Sequence, residues 1–199
     1  MRDSYRFECQ RCGDCCQRPG YFTPDGLRKA AEHLGLEPVE FFESYCDAPP
    51  GKTVIVPRTT GLYCSFLDRD GATASCRIHE SKPSRCSSSP LVIEKYLFDD
   101  ATTTARFERG TARFAFIQNC PGSGKGGYLR VRDVVRETEM EADMNFQLRS
   151  LKETARKMGE EEFMRALALR NAGILPPDLA IRLRNAVLRA YGLPPDLSL

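Results

Sequence analysis

No run of about 18 consecutive apolar residues occurs in the chain, so no segment reads as a helix that crosses a bilayer. An excess of one charge is missing too. Lys and Arg total 29 and Asp and Glu 27, leaving a formal +2 spread along 199 residues, too weak a field to draw the chain onto nucleic acid or anionic lipid. The opening residues Met1 to Arg6 reach the first cysteines without the apolar stretch of a signal peptide, and a cytoplasmic location is expected. Histidine is limited to His33 and His79, and tryptophan is absent, which excludes nothing.

Cysteine is plentiful: there are nine. In a reducing compartment thiols stay reduced, and an odd count suits a disulfide framework poorly, so metal ligands or redox groups are the better reading. Hydrophobic content of 41% and charged content of 28% are ordinary for a globular protein. The length allows one compact domain, or one core with a helical appendage.

Composition divides the chain into three regions. After the first cysteines, Thr23-Pro24-Asp25 reads as a helix start with Thr23 as cap, and Leu27, Ala30, Ala31 and Leu34 follow at helical spacing up to Gly35. Pro38 opens a second short helix through Val39, Phe41, Phe42 and Tyr45. Between Val54 and Cys120 short β-type runs replace the helical period: Val54–Val56, Leu62–Phe66, Leu91–Ile93 and Phe114–Ile117, with Asp70-Gly71 as a hairpin turn ahead of Cys76. These elements are too short to hold themselves by apolar burial, and metal ligation would supply what is lacking.

Beyond the glycine-rich stretch Pro121–Gly127 the pattern turns to amphipathic helix. Met140, Met144, Leu148, Leu151, Ala155 and Met158 form one stripe, read as core rather than a partner-binding groove. A second helix begins at Glu160-Glu161-Glu162, and a third at Pro176-Pro177-Asp178, ending at Gly192. The expected fold is α+β, a metal-stapled cysteine domain over 1–127 followed by a helical subdomain over 128–199.

The strongest chemical signal is Cys9-Gln10-Arg11-Cys12-Gly13-Asp14-Cys15-Cys16. A two-residue gap lets the chain fold back so that two sulfurs meet one ion, and Gly13 permits the positive φ such a loop uses. Side chains of adjacent residues point apart, so Cys15 and Cys16 either serve two sites or one of them only packs. A second group comprises Cys64, Cys76, His79 and Cys86, in which His79 is either a ligand or a hydrogen-bonding support for a thiolate. Cys120-Pro121 is a third element, similar to the cysteine–proline that completes small ferredoxin clusters, and the glycines beyond it could place N–H groups near cluster sulfur or an anion.

Other readings fail on their residues. Lys125 lacks the upstream glycine of a phosphate-binding loop, and Gly126 stands where Ser or Thr would hold magnesium. Cys46, alone in an apolar stretch, reads as a core thiol, and His33 as solvated. A single catalytic thiolate paired with a histidine is disfavoured, because so many thiols would compete for oxidation and metal.

Taken together, Cys9-x2-Cys12-Gly13-x-Cys15-Cys16, Cys76-x-Ile78-His79-x3-Pro83-x2-Cys86 and Cys120-Pro121-Gly122 resemble the CxxCxxCC family of zinc- or iron-chelating proteins, also called YkgJ-type cysteine-cluster proteins. The resemblance runs from about Phe7 to Gly127. It implies Cys9, Cys12, Cys15, Cys16, Cys64, Cys76, Cys86 and Cys120 as metal ligands, with His79 nearby. Lys82 and Ser87 stand where the family usually carries arginine, which leaves the ligands intact but blurs any anion-binding role of that loop. Relatives are labelled iron–sulfur oxidoreductases, and a flagellin lysine methylase has a similar cysteine region. The expectation is therefore a metal-binding protein with an iron–sulfur cluster, most simply 4Fe-4S, of redox or S-adenosylmethionine-dependent type. Zinc in a structural or metal-handling module that docks a protein partner is the alternative.

Ligand counting divides the thiols. Cys9, Cys12 and Cys120 with one of Cys15 or Cys16 would hold a cluster, and Cys64, Cys76 and Cys86 with Cys16 or His79 a second ion.

Overall fold

The computed structural model describes residues 4–49, 52–71, 73–93, 103–109, 112–117, 120–137 and 140–195. The fold is α+β, as the residue pattern requires. In chain order, β1 (Ser4–Phe7) leads through the cysteine loop to α1 (Pro24–His33) and α2 (Pro38–Tyr45). Six short strands follow: β2 (Cys46–Asp47), β3 (Val56–Pro57), β4 (Thr59–Thr60), β5 (Tyr63–Cys64), β6 (Leu67–Asp70) and β7 (Thr73–Cys76). Next come α3 (Ser84–Ser88), β8 (Leu91–Ile93), β9 (Thr103–Arg109), β10 (Ala112–Ile117) and β11 (Ser123–Arg130). Four helices finish the chain, α4 (Val131–Glu137), α5 (Met140–Met158), α6 (Glu160–Asn171) and α7 (Pro177–Ala190).

Local chemistry explains the helix boundaries. The Thr23 hydroxyl accepts from the Gly26 N–H at 3.0 Å, Pro24 occupies the first turn, and the chain leaves α1 at Gly35 with φ of +69°, so the exposed N–H groups at one end and the left-handed exit at the other are both satisfied. The hairpin β6–β7 turns at Asp70-Gly71 and pairs Leu67 with Cys76. Strands β8, β9 and β10 make one antiparallel sheet in the order β8-β10-β9, and the remaining sheets are two-stranded.

Three phenylalanines from separate elements form the centre of the main core. The Phe22 ring meets Phe41 edge-on at 5.6 Å, and Phe41 stacks on Phe66 at 5.6 Å; all three are fully buried, along with Ile55 and Ile78. Val187, Leu188, Tyr191 and Leu193 of the C-terminal region belong to the same core. Tyr191 fastens it, its buried hydroxyl donating to the Phe22 carbonyl at 2.6 Å and accepting from the Ile55 N–H at 3.2 Å. Arg184 of α7 also pairs with Asp47 at 2.7 Å, and Ser150 of α5 donates to the Thr53 carbonyl at 2.7 Å. Burial and hydrogen bonding are thus continuous across the Gly127–Tyr128 junction. A smaller cluster of Phe163, Ala166, Leu179 and Leu183 lies among the helices, with Leu151, Ala155 and Met158 of the methionine stripe packed on it; the side chains of Met140, Met144 and Leu148 lie outside the described residues.

The glycine-rich stretch takes part in strand pairing, which its composition did not indicate. Most of it belongs to β11, which pairs antiparallel with β1, and the register passes from Arg6↔Tyr128 to Phe7↔Ser123. Residues 124–127 therefore bulge between two paired positions, and the Gly126 carbonyl accepts from Arg6 Nε at 2.9 Å. Strand β1 itself carries no alternation strong enough to have marked it, because its partner lies more than a hundred residues away and supplies the pairing.

Candidate metal centre

All nine cysteines are free thiols. The first four lie on the loop after β1, whose shape is set by two left-handed residues, Arg11 with φ of +49° and Gly13 with φ of +76°. The hairpin β6–β7 holds this loop: the Ala74 N–H donates to the Arg11 carbonyl at 2.8 Å, and a Cβ added at Gly13 would meet Ala74 Cβ at 3.1 Å and Leu67 Cδ2 at 3.2 Å. A short 3-10 turn over Asp14–Gln17, closed by the Cys16 N–H on the Gly13 carbonyl at 2.9 Å, then presents Cys15 and Cys16. Cys64 ends β5 and Cys76 ends β7, while Cys86 rides on α3 just past Pro83.

The thiols gather into two neighbourhoods. Cys15, Cys16, Cys64, Cys76 and Cys86 lie within electrostatic reach of one another: Cys16 feels Cys15, Cys64 and Cys86, and Cys86 feels Cys15, Cys64 and Cys76. Cys12 instead feels Cys120. Cys9 belongs on that side by its backbone, since the Glu8 N–H donates to the Gly122 carbonyl at 3.2 Å and the Ser123 N–H to the Cys120 carbonyl at 2.9 Å. Cys46 is fully buried in the core among Phe22, Phe41 and Ile55.

Each neighbourhood carries opposing influences on the thiols. Burial raises Cys12, Cys64 and Cys76 above the ordinary thiol range and takes Cys86 to about 12. Working against it, backbone N–H groups donate to sulfur, from Asp14 to Cys12, from Phe66 to Cys64 and from Ile78 to Cys76. The Gly20 N–H donates to Cys86 Sγ at 3.3 Å. Cys15 is held down to about 6, chiefly because its thiolate accepts a hydrogen bond from Cys16, with Lys82 adding positive charge; the same contact raises Cys16. Desolvated sulfurs with amide protons aimed at them bind a cation more favourably than a proton alone would show, because the N–H groups stabilise the thiolate that a metal requires.

The donor set suits a thiophilic metal in kind, with eight thiols in two groups and amides directed at four of the sulfurs. The fit is one of neighbourhood. Among the described residues no three Cys, His, Asp or Glu side chains already share a single coordination sphere. His79 is exposed at the start of a 3-10 turn, His79–Ser81, with Nε2 3.5 Å from Lys82 Nζ. His33 is exposed, Nε2 lying 3.2 Å from the Arg77 carbonyl. The sequence reading missed the part of Gly20: a Cβ there would stand 2.9 Å from Pro83 Cβ and 3.0 Å from Arg85 Cβ, so only glycine brings this N–H onto Cys86. A glycine four residues past Cys16 was the one visible signal.

No curated protein and no solved structure matches the chain. A family model does, that of the CxxCxxCC domain, described as a "Putative zinc- or iron-chelating domain", over residues 8–109. The matched segment contains both halves of the larger thiol neighbourhood and two of the three thiols of the smaller one, leaving Cys120 beyond its end. No helix of the described residues is long and apolar enough to cross a membrane. With the cysteine loop, the Cys64 and Cys76 strands and the Cys86 helix all inside a match that spans just over half of its length, the chain belongs to the CxxCxxCC family.

Proposed function

We propose that the chain is an iron–sulfur protein, with a cluster held by the larger neighbourhood, drawn from Cys15, Cys16, Cys64, Cys76 and Cys86. One observation carries this reading: five thiols from four separate elements lie within electrostatic reach of one another, with backbone N–H groups directed at Cys64, Cys76 and Cys86, the amide-lined, all-sulfur surroundings in which iron–sulfur clusters are held and tuned. Bound there, the cluster would supply electron transfer, and the N–H groups of Phe66, Ile78 and Gly20 would tune it through the sulfurs they touch. Lys82, beside Cys15 and Cys76, offsets the negative charge of the assembled thiolates. The cysteine unit over 1–127 holds the metal, and the helices over 128–199 support it through the shared core. Nine free thiols suit a reducing compartment such as the cytoplasm.

Purification under nitrogen, with iron and sulfide reconstitution, tests the proposal. A brown protein with iron and sulfide in matched amounts, whose visible absorption bleaches on reduction, is the expected result. A colourless protein that keeps stoichiometric zinc and takes up no sulfide would replace the cluster by a closed zinc site.

A further inference from the structure

Two peptide groups of the larger neighbourhood are bonded at both ends. One joins Ser65 to Phe66, and its N–H is directed at the Cys64 sulfur two residues back. The other joins Arg77 to Ile78, and its N–H is directed at the Cys76 sulfur in the same way. Each has its carbonyl oxygen taken by a side chain: Arg77 Nη2 donates to the Ser65 carbonyl at 2.7 Å, and His33 Nε2 lies 3.2 Å from the Arg77 carbonyl. A carbonyl oxygen only accepts, so this bond is made by the His33 ring with its proton on Nε2. Neither peptide is cis, and in a planar trans unit the C=O and N–H point opposite ways. A donor fixed on the oxygen therefore fixes the direction of the N–H on the far side.

Both side chains are themselves held. The Arg77 guanidinium lies 5.3 Å from the Tyr45 ring centroid and 5.8 Å from that of Phe66, with Nε 3.8 Å from Asp68 Oδ1. The backbone N–H of Arg77 donates to the Phe66 carbonyl at 2.9 Å, so this one residue ties the end of β7 to the chain just past Cys64. His33 is the last residue of α1, whose Ala30 and Ala31 are buried in the core. Resting on the metal-binding reading above, we propose that Arg77 and His33 are positioning residues of the metal centre, which aim the Phe66 and Ile78 N–H groups at the Cys64 and Cys76 thiolates from behind. Linked hydrogen bonds polarise one another, so a donor on each carbonyl also strengthens the N–H bond to sulfur. Neither side chain is a ligand; each acts through one peptide group.

The test is a cobalt(II) titration of the metal-free full-length chain under nitrogen, read by thiolate-to-cobalt charge-transfer absorption. An N–H bond lowers the energy of the thiolate electrons, so losing it moves that band to longer wavelength, which damage to the fold elsewhere does not do. Arg77→Met, which keeps an apolar stem against Tyr45 and Phe66, should bind cobalt about tenfold more weakly and absorb at longer wavelength. Arg77→Lys, whose ammonium can donate to the same carbonyl, should recover most of both. His33→Leu, at an exposed position, should shift the band in the same direction, and His33→Gln, with an amide donor, should bring it back; this pair decides the matter if Arg77→Met does not fold. An unshifted band in either Arg77→Met or His33→Leu removes that residue from the role, even where binding is weaker, and unshifted bands in both overturn the proposal while the metal-binding reading stands. If the wild type binds no cobalt at all, the metal-binding reading fails and takes the proposal with it.

Discussion

Gly122 is the position at which strand pairing and metal site can be separated by one methyl group. A Cβ added there would stand 2.2 Å from the Glu8 carbonyl oxygen, 2.8 Å from the Phe7 ring and 3.0 Å from the Glu8 carbonyl carbon. Two of these three atoms are backbone and cannot rotate away, so β1 and β11 must part by about an ångström at the point where the Glu8 N–H meets the Gly122 carbonyl. Overpacking of this kind costs about 1–3 kcal/mol and a weakened backbone hydrogen bond about 0.5–1.5 kcal/mol more. For Gly122→Ala a total near 2 kcal/mol corresponds to a fall of roughly 4–8 °C in melting temperature for a chain of this size. Because the separation falls between Cys9 and Cys120, any metal held by those thiols should be retained less well against a chelator.

Two neighbouring glycines serve as controls. Gly127 has nothing within 4 Å of an added Cβ, and Gly124 also has open space but a φ of +81°. Gly127→Ala should melt with the wild type, whereas Gly124→Ala should lose about 1 kcal/mol through its left-handed backbone alone. Thermal denaturation of the metal-free variants, monitored by circular dichroism, would decide the matter. Equal melting temperatures for Gly122→Ala and Gly127→Ala would show that the close approach of the two strands does not exist.

Further outcomes follow from single contacts. Gly20→Ala, whose methyl would crowd Pro83 and Arg85 and withdraw an N–H from Cys86, should weaken metal at the larger neighbourhood by roughly tenfold, read as retention against a chelator. Tyr191→Phe strands the Ile55 N–H and the Phe22 carbonyl in the core and should cost about 1–3 kcal/mol in chemical denaturation, with unchanged metal stoichiometry. Cys46→Ala, deep in the core, should lower stability while iron content stays constant. Cys64→Ser should do the reverse, and loss of iron from Cys46→Ala equal to that from Cys64→Ser would remove the distinction between core thiol and ligand.

Much of this protein is legible in its residue order. Nine cysteines, four of them within eight positions, announce metal chemistry. The helices α1, α2, α5, α6 and α7 fall where proline, glycine and a 3.6-residue apolar period place them, since capping and amphipathic burial act over a few residues. The hairpin after Leu67 was equally readable, because Asp70-Gly71 needs only its immediate neighbours to turn the chain. Cys46 could be set aside as a core thiol from its apolar surroundings.

The partition of the thiols was decided elsewhere. Ligand counting gave one of Cys15 and Cys16 to the set with Cys9, Cys12 and Cys120, whereas the turn over Asp14–Gln17, held against β6–β7, sends both towards Cys64, Cys76 and Cys86. Likewise the pairing of β1 with β11, which brings Cys9 beside Cys120, joins segments more than a hundred residues apart through backbone hydrogen bonds that any side chains could make. Spacing along a chain constrains sulfurs only within one short loop. Beyond that range their meeting depends on which strands pair and which faces pack, and those choices belong to the folded whole.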